Sequence, residues 1–297
     1  MTDPQSKLSR TRSLLFVPGD RPERFAKAVA AGPDAVIIDL EDGVDIDNKA
    51  AARDAAVTWA QAHPGTLIRI NGSESEWFEA DLAATSAIHC TIMLAKCEAG
   101  PQLSRAIAAG PVIALIETAR GVTEAREIAR TGVLRLALGN ADLAAELGID
   151  PDDREAMLAT RGELVLASAA ARLPAPVDGV TTEFRNTGTV TADTAYAASL
   201  GFTGKLCIHP AQLEPVHAAF APSPGELGWA RTVLAAAIGS SGGAFSVGTA
   251  MIDAPILERA RRIVERATPR NSRGQTAPTT SANDSAPASG LPIDRSP

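Results

Sequence analysis

Cysteine is scarce in this chain: 297 residues contain three, Cys90, Cys97 and Cys207. Their number and irregular spacing exclude a disulfide-stapled scaffold and a cysteine-based zinc site, leaving reduced core thiols. Histidine is almost as rare, and His63, His89, His209 and His217 show no zinc-ligand spacing. Positive charge is in deficit, with 28 Lys and Arg against 35 Asp and Glu and a net charge of −7. Aromatics make up only 4% of the chain, and no basic cluster is interleaved with them, which excludes a nucleic-acid surface. Apolar runs stay far short of a membrane span, and the first twelve residues are polar, with no apolar signal core. The expected location is the cytoplasm, with no membrane association.

What is present is ordinary globular composition, 45% hydrophobic and 21% charged, long enough for one large domain or two smaller ones. The chain is organised around Ala35-Val36-Ile37-Ile38-Asp39-Leu40-Glu41-Asp42-Gly43, an apolar run that empties into three carboxylates. Such a run reads as a buried parallel strand, and its acidic end as the place where an α/β enzyme keeps its chemistry. Three acids at one strand end repel one another, so water, a cation or basic partners must offset them. The plainer alternative is a set of solvated loop acids, or a cap for the helix that begins near Asp45.

The same pattern recurs along the chain. Strands are expected at 12–17, 35–39, 66–70, 91–94, 111–116, 133–138, 176–181 and 204–208, separated by helical or Ala-rich stretches. Eight strand-then-helix units predict an α/β fold, a TIM (β/α)8 barrel over residues 12–238, whose active site gathers at the C-terminal strand ends. A doubly wound open sheet is disfavoured because no Gly-rich phosphate fingerprint follows the first strand. Residues 1–11 are expected to fray. Gly239-Ser240-Ser241-Gly242-Gly243 reads as a hinge to a C-terminal lid or arm helix, over 239–267. Residues 268–297, rich in Pro, Ser, Thr and Ala, read as a disordered tail.

At or just beyond the expected strand ends stand Asp39, Glu41, Asp42, Arg69, Lys96, Glu117, Asp142, Glu183 and His209. Glu117 and Asp142, with the three acids of the second unit, offer an oxygen-only environment suited to Mg2+, which takes one or two protein carboxylates and keeps positions for water and substrate. A 2-oxo acid fits those positions, its carbonyl charge stabilised by the metal. Arg69 can clamp a substrate carboxylate at two points, or form an internal salt bridge with a strand-end acid. Lys96 is expected to pair with Glu41 or Asp42 rather than act as a Schiff-base lysine. His209 reads as a cap before Pro210, and Glu183 and Arg185 as a loop ion pair.

The segments RSLLFVPGDRPERF (12–25), DAVIIDLEDGV (34–44), the helix with Lys49 and Arg53, IRIN (68–71), ALIETARGV (114–122), GNADLAAELG (139–148), GFTGKLCIHPAQL (201–213) and GAFSVGTAMIDAPIL (243–257) resemble one known family. It is the citrate lyase beta-subunit-like branch of the HpcH/HpaI aldolase family, which includes malyl-CoA and citramalyl-CoA lyases. The resemblance implies a homotrimeric barrel that uses Mg2+ to cleave or form a carbon–carbon bond in a 3-hydroxyacyl-CoA thioester, with an acyl-CoA and a 2-oxo acid as products. It implies Glu117 and Asp142 as metal ligands, Arg69 on the oxo-acid carboxylate, and Glu41 and Asp42 on metal-bound waters. Arg12 and Lys96 match positions near the substrate phosphates or the acid cluster, and Asp253 matches an acid/base residue supplied across a subunit boundary. The chain departs from the pattern at Ala95, at Ala141 and near Asn186. The competing expectations are a CoA-independent 2-oxo-acid aldolase and a non-catalytic subunit of a citrate lyase-type complex, with an acyl-carrier protein as partner.

Overall fold

A computed structural model describes residues 8–238, 244–248 and 250–267. The expected hinge at 239–243 and the expected tail lie outside the described residues. Eight parallel strands close into a barrel in chain order: β1 Ser13–Pro18, β2 Ala35–Asp39, β3 Leu67–Ile70, β4 Thr91–Leu94, β5 Val112–Ile116, β6 Arg135–Leu138, β7 Val177–Asp178 and β8 Gly204–Cys207. The pairing of β1 with both β2 and β8 closes the sheet. Strand β7 is shorter than expected because Pro176 precedes it, has no N–H to donate, and Gly179 follows.

The surrounding helices are α1 Phe25–Ala30, α2 Lys49–Ala62, α3 Phe78–Ile88, α4 Pro101–Ala109, α5 Ala119–Thr123, α6 Ala125–Ile128, α7 Asn140–Leu147, α8 Leu158–Ala170, α9 Thr187–Leu200 and α10 Leu213–Phe220. Side chains on a strand alternate between two faces, so the barrel has two cores. One, drawn from all eight strands and including Leu14, Ile37, Leu67, Met93, Leu115 and Val177, fills the interior. The other lies between strands and helices. On α2 the buried residues are Lys49, Ala52, Ala56 and Ala60, a stripe at helical spacing. Small alanines let that helix sit close to the sheet, and they bring Lys49 in its first turn to the catalytic end. Among the described residues no helix is long and apolar enough to cross a membrane.

The barrel floor is plugged by Arg135, only 1% exposed. Its guanidinium donates to the carbonyls of Leu8 (3.1 Å), Thr11 (2.8 Å) and Ala175 (2.6 Å) and to Thr203 Oγ1 (2.8 Å). Residues 8–11 are therefore packed rather than frayed, with Leu8 buried beneath the strands. Between β7, β8 and α8, Asp178 accepts from Arg161 Nε and Lys205 Nζ, both at 3.0 Å, and all three are buried.

The C-terminal unit comprises α11 Pro224–Ile238, an antiparallel hairpin of β9 Phe245–Val247 and β10 Ala250–Ile252, and α12 Ala254–Ala267. It has its own small core of Ala230, Val233, Ile252, Ala260 and Ile263. Helix α11 shares that core, so the structural break falls at Pro222-Ser223-Pro224 and not at residue 238. The proline-rich break ends one helical unit before the next begins.

Candidate active site

The register of β2 and β3 places Asp39 beside Arg69. Arg69 Nε and Nη2 each donate to Asp39 at 2.6 Å, and Nη1 lies 2.9 Å from Glu41 Oε2. Asp39 also accepts the N–H groups of Glu41 and Gly43, both at 2.9 Å, which curls residues 40–43 over the strand end. A Cβ at position 43 would stand 2.4 Å from Asp39 Oδ2, so the turn requires glycine. The Arg69 guanidinium lies 4.8 Å over the Phe16 ring, which supports it from within the barrel. Lys49 Nζ donates to the carbonyls of Leu40 and Glu41, both at 2.7 Å, and to Asn71 Oδ1 at 3.0 Å. The acid-bearing turn is thus held from both sides.

Glu117 follows β5 and is only 4% exposed. Its Oε1 accepts the Lys96 N–H at 2.7 Å. Gly139 gives it room, since a Cβ there would lie 2.3 Å from Glu117 Oε2. Burial pushes the Glu117 carboxyl up to about 8, with Arg69 and the Lys96 N–H opposing and Glu41 and Asp142 adding to the rise. Asp142 stands in the first turn of α7, where the helix N-terminus favours an anion. That helix is fixed by Asn140, whose side chain exchanges two hydrogen bonds with the Val180 backbone at 2.8 and 3.1 Å.

Lys96 adopts a left-handed backbone conformation, φ 48°. Its ammonium hydrogen-bonds Glu41 Oε1 and lies 2.9 Å from Asp142 Oδ2 and 3.6 Å from Asp42 Oδ2. Burial alone would lower its pKa, but Glu41 and Asp142 hold it above the usual lysine range. Glu41, Asp42 and Asp142 each bring one carboxylate oxygen to within 4.8 Å of the others. Five carboxylates, Asp39, Glu41, Asp42, Glu117 and Asp142, thus face three cations, Lys49, Arg69 and Lys96. Beside them opens a cavity of about 670 Å³ lined by Lys49, Asn71, Lys96, Glu98, Thr118 and the turn from Gly72 to Trp77. A groove around Trp59 and His63 on the outer helices holds none of these groups.

Six of the eight sequence-predicted site residues meet here: Glu41, Asp42, Arg69, Lys96, Glu117 and Asp142. Arg12 does not. It precedes β1, at the N-terminal end of the barrel, where its N and Nε reach Asp34 Oδ2 at 2.8 and 3.3 Å. A residue that enters a parallel strand lies at the end opposite the chemistry. Asp253 is exposed in the C-terminal unit, where its Oδ1 accepts the Ile256 N–H at 3.2 Å at the start of α12. Lys96 pairs with Glu41 as expected, and His209 caps the turn at Pro210, accepting from Ala211 N at 3.1 Å. Glu183 and Arg185 do not pair: Glu183 accepts from Thr189 Oγ1 and Arg185 stacks on Phe184. The expected two-point clamp of Arg69 is closed on Asp39. The roles of Asp39, Lys49 and Asn71 as supports depend on strand register, which the sequence does not print.

A closed parallel barrel with clustered carboxylates and a half-buried arginine at its C-terminal end is the architecture of a (β/α)8 enzyme. The chain belongs to the HpcH/HpaI aldolase/citrate lyase family, whose family model matches residues 12–210. It is 39% identical over 262 residues to a citrate lyase subunit beta-like protein of Mycobacterium tuberculosis strain H37Rv, covering 85% of this chain and 94% of that one. It is 36% identical over 267 residues to a (3S)-malyl-CoA thioesterase of Cereibacter sphaeroides, covering 86% and 93%. Among solved structures it is similar to the protein CitE of M. tuberculosis in complex with magnesium, acetoacetate and coenzyme A, with a TM-score of 0.76, 37% identity and coverage of 87% and 98%.

Proposed function

We propose that the protein is a Mg2+-dependent carbon–carbon lyase, cleaving or forming a 3-hydroxyacyl-CoA thioester of the citramalyl, malyl or citryl type. The observation that carries this reading is the convergence of carboxylate oxygens from Glu41, Asp42 and Asp142, with the buried Glu117 carboxyl nearby, at the catalytic end of the barrel. Crowded acidic oxygens fit a dication, and oxygen-only donors fit Mg2+. Glu117 and Asp142 would hold the ion, with Glu41 and Asp42 reaching it through water. Bound there, it supplies a Lewis acid for charge on the carbonyl oxygen of the 2-oxo acid.

The protein residues do the rest. A guanidinium has five N–H donors; Asp39 takes two of those of Arg69, and Nη1 forms an ion pair with Glu41. The donors left over are proposed to hold the oxo-acid carboxylate. Cleavage removes the proton of the 3-hydroxyl, and the electrons of the breaking carbon–carbon bond pass to the α-carbon of the thioester. An acid must then protonate that carbon. Asp253 of a second copy is proposed for this step in a homotrimer, supported by its exposure and by the separate core of the C-terminal unit. We place the enzyme in the cytoplasm, with free CoA rather than an acyl-carrier protein as carrier.

The likeness to a malyl-CoA thioesterase favours a second reading, hydrolysis of the thioester. Products separate the two. Citramalyl-, malyl-, methylmalyl- and citryl-CoA are incubated with Mg2+ and with EDTA. Acetyl-CoA or propionyl-CoA plus a 2-oxo acid, formed only with Mg2+, is expected. Free CoA plus a hydroxy acid would replace the lyase by the thioesterase. No product from a folded protein would favour the CoA-independent aldolase or a non-catalytic subunit.

A further inference from the structure

Of the three cations at the site, two are locked. Lys49 is buried and bonded to two carbonyls and Asn71, and Arg69 is fixed on Asp39 and Glu41. Lys96 differs. Its side chain is 41% exposed, and its ammonium sits among the same three carboxylates, Glu41, Asp42 and Asp142, whose oxygens converge. We propose that Lys96 is an internal counter-ion: it holds the cation position of this site in the metal-free protein and is displaced when the dication binds. The proposal rests on the magnesium reading above and adds to it a competitor built into the chain.

The geometry forces the exchange. A Mg2+ ion held by Asp142 would draw its carboxylate oxygen to about 2.0–2.1 Å, and an ammonium still paired with that carboxylate, as Lys96 is at 2.9 Å, would remain only about 3–5 Å from the ion. Two cations at that separation repel strongly in a partly buried site. Lys96 can leave because its backbone need not move. Its N–H stays on Glu117 Oε1, and its left-handed turn packs against Gly72, where a Cβ would lie 3.2 Å from the Lys96 Cβ. The flexible four-carbon stem can then swing into the adjoining cavity, which Glu74 and Glu98 also line. Binding of the dication would thus deliver a positive charge into the space beside the reacting centre. That order, metal first and anion second, follows from one lysine having two places to be.

The test is a calorimetric titration of MgCl2 into EDTA-stripped wild type and Lys96→Met, together with amine acylation of the wild type read by mass spectrometry. Lys96→Met is expected to bind Mg2+ about tenfold more tightly, because the competing charge is gone. It is also expected to melt earlier in EDTA and to regain that loss with Mg2+. In the wild type, acylation of Lys96 is expected to rise several-fold on adding Mg2+. Equal or weaker Mg2+ binding by Lys96→Met with normal wild-type binding overturns this proposal and leaves the magnesium reading intact. Mg2+ binding by the variant alone supports it. Binding by neither protein overturns both readings. If Lys96→Met does not fold, the acylation decides, and protection of Lys96 that is unchanged or increased by Mg2+ overturns the proposal.

Discussion

The two ends of the barrel treat charge in opposite ways. At the floor the buried charged groups are tied up by internal hydrogen bonds: Arg135 donates to three carbonyls and a hydroxyl, and Asp178 accepts from Arg161 and Lys205. At the top five carboxylates face three cations, and Glu117 is held as a buried acid whose carboxyl is pushed up to about 8, first by burial. Charge tied up by internal hydrogen bonds closes a core; carboxylates crowded against one another prepare a place for a cation. The difference also says what each end should do when a residue is removed.

The largest effect belongs to the top. Glu117→Ala or Asp142→Ala is expected to lower Mg2+-dependent turnover at least about a thousandfold, with circular dichroism unchanged. Unaltered turnover in both would break the comparison. Asp253→Asn is expected to retain substrate binding and lose kcat by about a hundredfold, the scale of a missing general acid; an equal loss in KM and kcat would make it a structural residue of the arm.

Stability should divide the two ends in sign. Asp178→Asn leaves Arg161 and Lys205 buried without their shared partner, and is expected to cost about 3 kcal/mol in urea unfolding. Glu117→Gln, which removes a buried acid whose ionisation is opposed by burial and by Glu41 and Asp142, is expected to raise the Tm of the metal-free protein. Two shifts in the same direction would show that the ends are not electrostatically different.

The smallest effect is on acid stability. Burial would raise the carboxyls of Asp34 and Asp178, but Arg12, and Lys205 with Arg161, more than offset it, so both lie below the ordinary value of 3.8. An acid with a depressed folded pKa contributes stability that is complete above its unfolded value and is lost as pH falls through the folded one. Unfolding free energy is therefore expected to fall as pH drops below about 4, and to fall less steeply in Asp34→Asn.

Much of this was legible in the sequence because buried parallel strands are apolar runs, and a run that stops at an acid marks both the strand end and the site. Ile37-Ile38-Asp39 and Leu115-Ile116-Glu117 carry both signals at once. Helix α7 was hidden because Gly139-Asn140-Ala141-Asp142 has turn chemistry, yet Asn140 uses it to anchor the helix to β7. Helix α9 begins with Thr, Gly and Thr, poor helix formers, and is started by Asn186, which accepts from Gly188 N and Thr189 N. Arg12 stands one residue before β1, at the end of the strand opposite the carboxylates, and the motif that contains it does not reveal which end it enters. The pairing of Asp39 with Arg69 depends on the register of β2 and β3, and no spacing along the chain states it.

The most direct measurement is a calorimetric titration of Mg2+ into the EDTA-stripped wild type and the Glu117→Ala/Asp142→Ala double variant. The account predicts one ion bound per wild-type chain and none in the folded double variant. Equal binding by both, or no binding by the wild type, would contradict it.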